Sequence, residues 1–243
     1  NQKSVTMRLY IPAALYMVWL CPCLLAGSTE EKPLRECGGQ HVCTTLMRYK
    51  DGTIVNEGQY CQCREGAAFC SQEWDGKDES RLTWQHYERA HWTVQYRFCT
   101  PVFHEKKICL PGEMAAIVET DVNTWEPYVS SPRCVCGSDV SFKIIGWKKE
   151  GGVWKYFYQC EKEECPAPAQ TLNDVSVCAK MYIDTRKATD KVIEVKFLCN
   201  CPEGYLCPAK FDEKTDNKNV IHDETGSYVP KECQTILQKR ATF

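Results

Sequence analysis

Three short stretches carry the residues best suited to chemistry: Cys61-Gln62-Cys63, Cys134-Val135-Cys136 and Cys199-Asn200-Cys201. In an extended strand, residues i and i+2 point to the same face. Both sulfurs of each pair therefore look the same way. Two chemistries suit that arrangement: neighbouring disulfides into whatever packs there, or paired thiolates on a metal such as zinc. The redox compartment decides between them.

The N-terminus points to secretion. Asn1 to Thr6 read as sequence upstream of a start at Met7. Arg8, the apolar run Leu9 to Leu25 and Ala26-Gly27-Ser28 then follow the order of a secretory signal peptide, giving residues 1–28 as leader and signal. The run carries Pro12 and Pro22 and is short for a membrane span. The expectation is a secreted, extracellular mature chain that does not insert into a membrane. The chain has 18 cysteines, and loss of Cys21 and Cys23 with the signal leaves an even set of sixteen. An even, dense set in an oxidising compartment reads as a disulfide framework. His41, His86, His91, His104 and His222 do not stand at zinc-ligand spacing from the cysteine pairs.

No catalytic signature emerges. The sequence has no Gly-x-Ser-x-Gly elbow, His-Glu-x-x-His helix or glycine-rich phosphate loop. His222-Asp223 and Glu163-Glu164 read as solvated surface, and Asp75, Asp78 and Glu79 lack the spacing of a calcium loop. A formal charge of −2 gives no reason to expect a nucleic acid partner. The reading is a non-enzyme with no cofactor, metal or catalytic residue, whose partner is an extracellular protein.

The cysteines fall into a repeat. After a polar lead (29–36), residues 37–99 hold Cys37, Cys43, Cys61, Cys63, Cys70 and Cys99. Residues 161–233 hold Cys165, Cys178, Cys199, Cys201, Cys207 and Cys233 in the same order, before a tail (234–243) in which Lys239-Arg240 could be processed. The intervening module, 100–160, has only Cys109, Cys134, Cys136 and Cys160. Aligned on the Cys-x-Cys, it reads as lacking the first and fifth cysteines. Since a lone survivor would be a free thiol, bridged cysteines are lost in pairs, and that alignment predicts Cys37–Cys70 and Cys165–Cys207. The remaining four in each six-cysteine module cannot be ordered.

Between these cysteines the chain reads as β-hairpins. Leu46 to Tyr49, the Asp51-Gly52 turn and Thr53 to Val55 form one. Lys180 to Ile183 and Lys191 to Leu198 form another, with Val192, Glu194 and Lys196 on one face and Ile193, Val195 and Phe197 on the other. Val140 to Trp147 and Val153 to Gln159, joined by a turn at 148–152, form a third. The fold class is mainly β and disulfide-rich: three finger-like hairpin modules, each centred on a Cys-x-Cys, with little helix beyond a short one over Glu232 to Arg240. Trp74 to Trp92 and Phe211 to Tyr228 read as solvated loops. The candidate target-binding residues are Lys148, Lys149, Trp154 and Lys155, where aromatics and cations share a stiff finger. A lysine beside an aromatic could also plug a cation pore.

Gln59-Tyr60-Cys61-Gln62-Cys63, Trp74-Asp75-Gly76, Gln95-Tyr96-Arg97-Phe98-Cys99-Thr100-Pro101, Cys109 and Cys134-Val135-Cys136 together resemble the large cysteine-rich centipede venom proteins (scoloptoxin family eleven). The layout is also similar to that of the Argos, or giant-lens, secreted proteins. The first resemblance implies full disulfide pairing and a venom toxin that impairs an ion channel, a potassium channel by preference. The second implies an antagonist that sequesters a growth-factor ligand. A protease inhibitor is the third reading. A clamp of the second kind predicts a cleft between modules, and a pore blocker predicts a protruding basic finger.

Overall fold

The computed structural model describes residues 34–65, 70–74, 80–86, 92–137, 140–166, 176–189 and 191–235. The leader, the tail after Thr235 and the Asp75, Asp78 and Glu79 positions fall outside them, as do most of the residues of the expected terminal helix. Glu232 itself closes a strand, and Gln234–Thr235 forms another. Among the described residues no helix is long and apolar enough to cross a membrane.

One strand pattern is used three times. In the first module, β1 (Val42–Arg48) pairs with β2 (Ile54–Gln59) and β4 (Thr93–Phe98), and β3 (Arg81–Gln85) pairs with β4. The order is β2-β1-β4-β3, all antiparallel. The Asp51-Gly52 turn forms as read: the Asp51 carboxylate accepts from Thr53 N at 2.9 Å and Gly52 takes φ +87°. In the second, β5 (Ala116–Asp121), β6 (Pro127–Pro132), β7 (Phe142–Glu150) and β8 (Val153–Gln159) give β6-β5-β8-β7. Strand β7 runs further than the sequence indicates, and only Gly151-Gly152 makes the turn, both with the positive φ of a tight hairpin. In the third, β9 (Val177–Ile183), β10 (Val192–Phe197), β12 (Ile221–Asp223) and β13 (Gly226–Glu232) give β10-β9-β13-β12. A further strand, β11 (Tyr205–Leu206), pairs with β14 (Gln234–Thr235).

The disulfides repeat with the strands, and their pairing corrects the sequence reading. Cys37 bonds Cys61, not Cys70, and Cys165 bonds Cys199, not Cys207. The second cysteine takes the fifth (Cys43–Cys70, Cys178–Cys207), and the fourth takes the sixth (Cys63–Cys99, Cys201–Cys233). The middle module has Cys109–Cys134 and Cys136–Cys160. It therefore lacks the second and fifth cysteines, a bonded pair, rather than the first and fifth. Ala115 stands where the second would be. Arg133 N donates to its carbonyl as Tyr60 N does to Cys43 and Leu198 N to Cys178.

A backbone clip explains why the first cysteine reaches the Cys-x-Cys. The residue before it lies in a parallel bridge with the central residue of the triplet: Glu36 with Gln62, Ile108 with Val135, Glu164 with Asn200. In each, the first cysteine's N–H donates to the central carbonyl, at 2.9, 2.9 and 2.7 Å. That holds the two Cα atoms at 5.0, 5.0 and 4.9 Å, within disulfide range.

The three hairpin sets are not separate fingers. Among the described residues they join in a twelve-stranded sheet through β7. The start of β7 pairs parallel with β3 (Trp84 opposite Phe142, Gln85 opposite Lys143), and its end pairs antiparallel with β10 (Lys148 opposite Glu194, Gly146 opposite Lys196). A core row crosses the second and third modules as Val129, Val118, Tyr156, Trp147, Val195, Met181 and Val229. Of these all but Tyr156 and Trp147 are buried. Ile193 departs from the alternation read in the sequence. A bulge between Val192 and Glu194 turns it out to solvent.

Phe211 to Tyr228 is not a solvated loop. It holds the one-turn helix α1 (Glu213–Asp216), capped by Asp212, and the β12–β13 hairpin. Its anchor is a buried ion pair: Lys231 Nζ sits 2.5 Å from Asp216 and also donates to the Lys210 carbonyl at 3.0 Å. Asp216 accepts in turn from Asp212 N, so the charges are paired and hydrogen-bonded as burial requires. Trp74 to Trp92 contributes β3 from its described part.

Peptide mapping of the unreduced protein will return Cys37 with Cys61 and Cys165 with Cys199; recovery of Cys37 with Cys70 would break the scheme. A Cβ at Gly146 would lie 2.4 Å from the Val195 carbonyl oxygen. Gly146→Ala will therefore lower stability by about 2 kcal/mol or more in urea unfolding with the bridges intact.

Candidate functional site at the module junction

The four residues singled out in the sequence divide between the two faces of the β7–β8 hairpin. Lys148 lies opposite Lys155 on one face, and Lys149 opposite Trp154 on the other. Two lysines side by side repel, and Glu150 offsets this. Its carboxylate sits 2.9 Å from Lys155 Nζ and 3.4 Å from Lys148 Nζ, which lowers its pKa. Lys155 also faces Glu119 at 4.0 Å, and Glu119 accepts from the Tyr128 hydroxyl at 2.6 Å, holding that phenol up at about 12. Across the hairpin, Lys149 lies 5.0 Å from the Trp154 ring, which meets Trp147 edge-on. The finger thus presents compensated charge on one face and a partly buried aromatic pair on the other.

The concave surface lies elsewhere, where the modules meet. A cavity of about 600 Å³ opens at the junction of all three. Gln85 and His86 of the first module, Lys143 and Ile144 of the second, and Asn200 and Glu203 of the third are in its wall. Lys143 donates to the Gln85 side chain across the parallel β3–β7 pairing, and burial lowers its pKa. Between the second and third modules, a groove of about 950 Å³ is lined by Met114, Ile145, Phe157, Val195, Phe197 and Leu198.

Lys162 and Phe197 line both cavities. Lys162 sits on the short connector between the modules, tied down where Asn200 Nδ2 donates to its carbonyl at 3.2 Å. Its ammonium lies over the Phe197 ring, 4.5 Å from the centroid. Among the described residues no carboxylate lies within ion-pair distance of it. Partial burial without a counter-charge brings its pKa down to about 7. In the sequence it is one lysine in the charged run Glu161-Lys162-Glu163-Glu164, and nothing in that run distinguishes it.

The tightest sulfur groups are Cys37, Cys63 and Cys99, together with two sets around Cys201, each within 4.8 Å. All belong to disulfides, so they offer bridged sulfur rather than thiolate to a metal.

These features define a disulfide-rich β protein with concave surfaces between its modules. No protein-family model matches the chain, and no curated protein matches it in sequence. Among solved structures it is similar to unliganded Argos, at 19% sequence identity over 83% of this chain and 92% of that one, with a TM-score of 0.40. At that score the superposition is loose, and no site residue is carried across.

The junction lysine gives a pH test. An amine held near 7 when folded and near its ordinary 10.5 when unfolded leaves the unfolded state with more protons between those values. Folding stability then rises with pH across that window. The penalty of the partly desolvated charge is in full force below about 7. Lys162→Met will therefore stabilise the protein more at pH 6 than at pH 9 in urea unfolding. An equal effect at both pH values would place the amine in the ordinary lysine range.

Proposed function

We propose that the chain is a secreted binding protein that takes an exposed segment of an extracellular protein ligand, of growth-factor type, into the three-module cavity. The observation that carries this reading is the cavity itself. Its wall is assembled from Gln85, Lys143 and Asn200 of three different modules. The ligand would thus meet groups already fixed relative to one another by sheet and disulfides. Such fixing reduces the ordering cost of association. The growth-factor class rests on the similarity of the cysteine layout to the giant-lens proteins. The sixteen bonded cysteines fit an oxidising, extracellular setting.

The pore-blocking alternative asks for a cation free to enter a narrow, negatively polarised filter. Lys148 and Lys155 are held by Glu150, and Lys149 lies over Trp154. The finger therefore offers less free charge than its sequence promises.

The test is surface binding of the oxidised protein to a panel of growth-factor domains, with sensory-neuron potassium currents recorded in parallel. Binding to at least one domain below about 1 μM, abolished by reduction, is the expected result. Silence across the panel together with current block at that dose would replace this function by the channel-directed one.

A further inference from the structure

The apolar groove between the second and third modules shares Lys162 and Phe197 with the three-module cavity but has its own apolar lining, and its chemistry is more specific. Ile145, Phe157, Val195 and Leu198 give it an aliphatic and aromatic lining. A volume of about 950 Å³ is at the upper end of small-ligand sites. Leu198 is 48% exposed, so apolar surface at the groove faces water. Its charge is also unusual. Of its two cations, Lys196 is already engaged, 3.5 Å from Glu194, while Lys162 has no carboxylate partner among the described residues. Lys162 is therefore the cation left to meet an anionic head group, in a mostly apolar wall that also carries Glu161 and Glu163.

We infer that this groove binds a free amphiphilic carboxylate, a medium-chain fatty acid in type, with its chain along the apolar lining and its head group on Lys162. The head group is a monoanion for a reason of charge. Glu161, Glu163 and Glu194 also line the groove, and a phosphate-like dianion would meet their repulsion with a single ammonium to offset it. A carboxylate needs one cation and accepts charge-assisted hydrogen bonds from it. A neutral alcohol of equal length would gain no charge-assisted hydrogen bond from Lys162. Lys162 and Phe197 also line the three-module cavity, but Ile145, Phe157, Val195 and Leu198 do not, so decanoate binding and binding of a growth-factor domain are read separately and either can fail alone.

Calorimetric titration of the oxidised full chain with sodium decanoate, decanol and decyltrimethylammonium tests the assignment. Decanoate is expected to bind in the range of about 10–100 μM, with decanol and the cation at least about tenfold weaker. Lys162→Met should weaken decanoate about tenfold or more, and Lys162→Arg should stay within about threefold of the parent. Thermal unfolding of each variant separates loss of binding from loss of fold. If Lys162→Met misfolds, the parent's preference for decanoate over decanol and the retained binding of Lys162→Arg decide. No decanoate heat up to about 5 mM, equal affinity for decanol, or unchanged binding by folded Lys162→Met would overturn the inference.

Discussion

Strand β7 has to serve three neighbours at once, and most of the architecture depends on how it does so. One edge takes β8 along nearly its whole length. The other is divided between β3 at its start and β10 at its end. Edge strands left unpaired invite association with other chains; here module edges are spent on joining modules. The approach of β10 is so close at Gly146 that a side chain there would meet the Val195 carbonyl. A glycine with no conformational role visible in the sequence thus sets how the third module meets the second, and with it the shape of both cavities.

The disulfides work at a shorter range. Every one closes within a module, and each first cysteine is delivered by the same parallel backbone clip to the Cys-x-Cys. Local clips and close Cα pairs let the bridges form without the modules having docked. The middle module shows how much the pattern can lose. It does without the second-to-fifth bridge, has buried Ala115 in the place of one sulfur, and sits at the centre of the sheet with Tyr158 and Val118 buried on its inner face. Packing from neighbours on both sides compensates where a peripheral module uses a covalent link, typically worth about 2–4 kcal/mol.

The repeat, the hairpins and the disulfide-rich β class were legible because they are local: Asp51-Gly52, the alternation near Val195 and the even cysteine set each speak through neighbours in sequence. What the sequence does not carry is relational. Cysteine gaps alone could not tell whether Cys109 corresponds to the first or the second position, since the deciding clip between Ile108 and Val135 is a backbone contact across a turn. Ile193 broke alternation through a bulge that strand periodicity does not encode. The Phe211 to Tyr228 stretch looked too polar to be ordered because its anchor, Lys231 to Asp216, pairs two charges that are far apart in the chain. For the same reason Lys162 was indistinguishable from surface. Its isolation comes from Phe197 and from the absence of a partner among the described residues, both consequences of tertiary packing.

The walls of the junction cavities are fixed before a ligand arrives only if the modules are welded through β7. Amide hydrogen exchange measures that directly. The backbone amides of 146–148 and 194–196 should exchange about as slowly as those of the β9–β10 ladder inside the third module. If they exchanged at loop rates while the ladders within each module stayed protected, the modules would be independent bodies, and a preformed junction site would be contradicted.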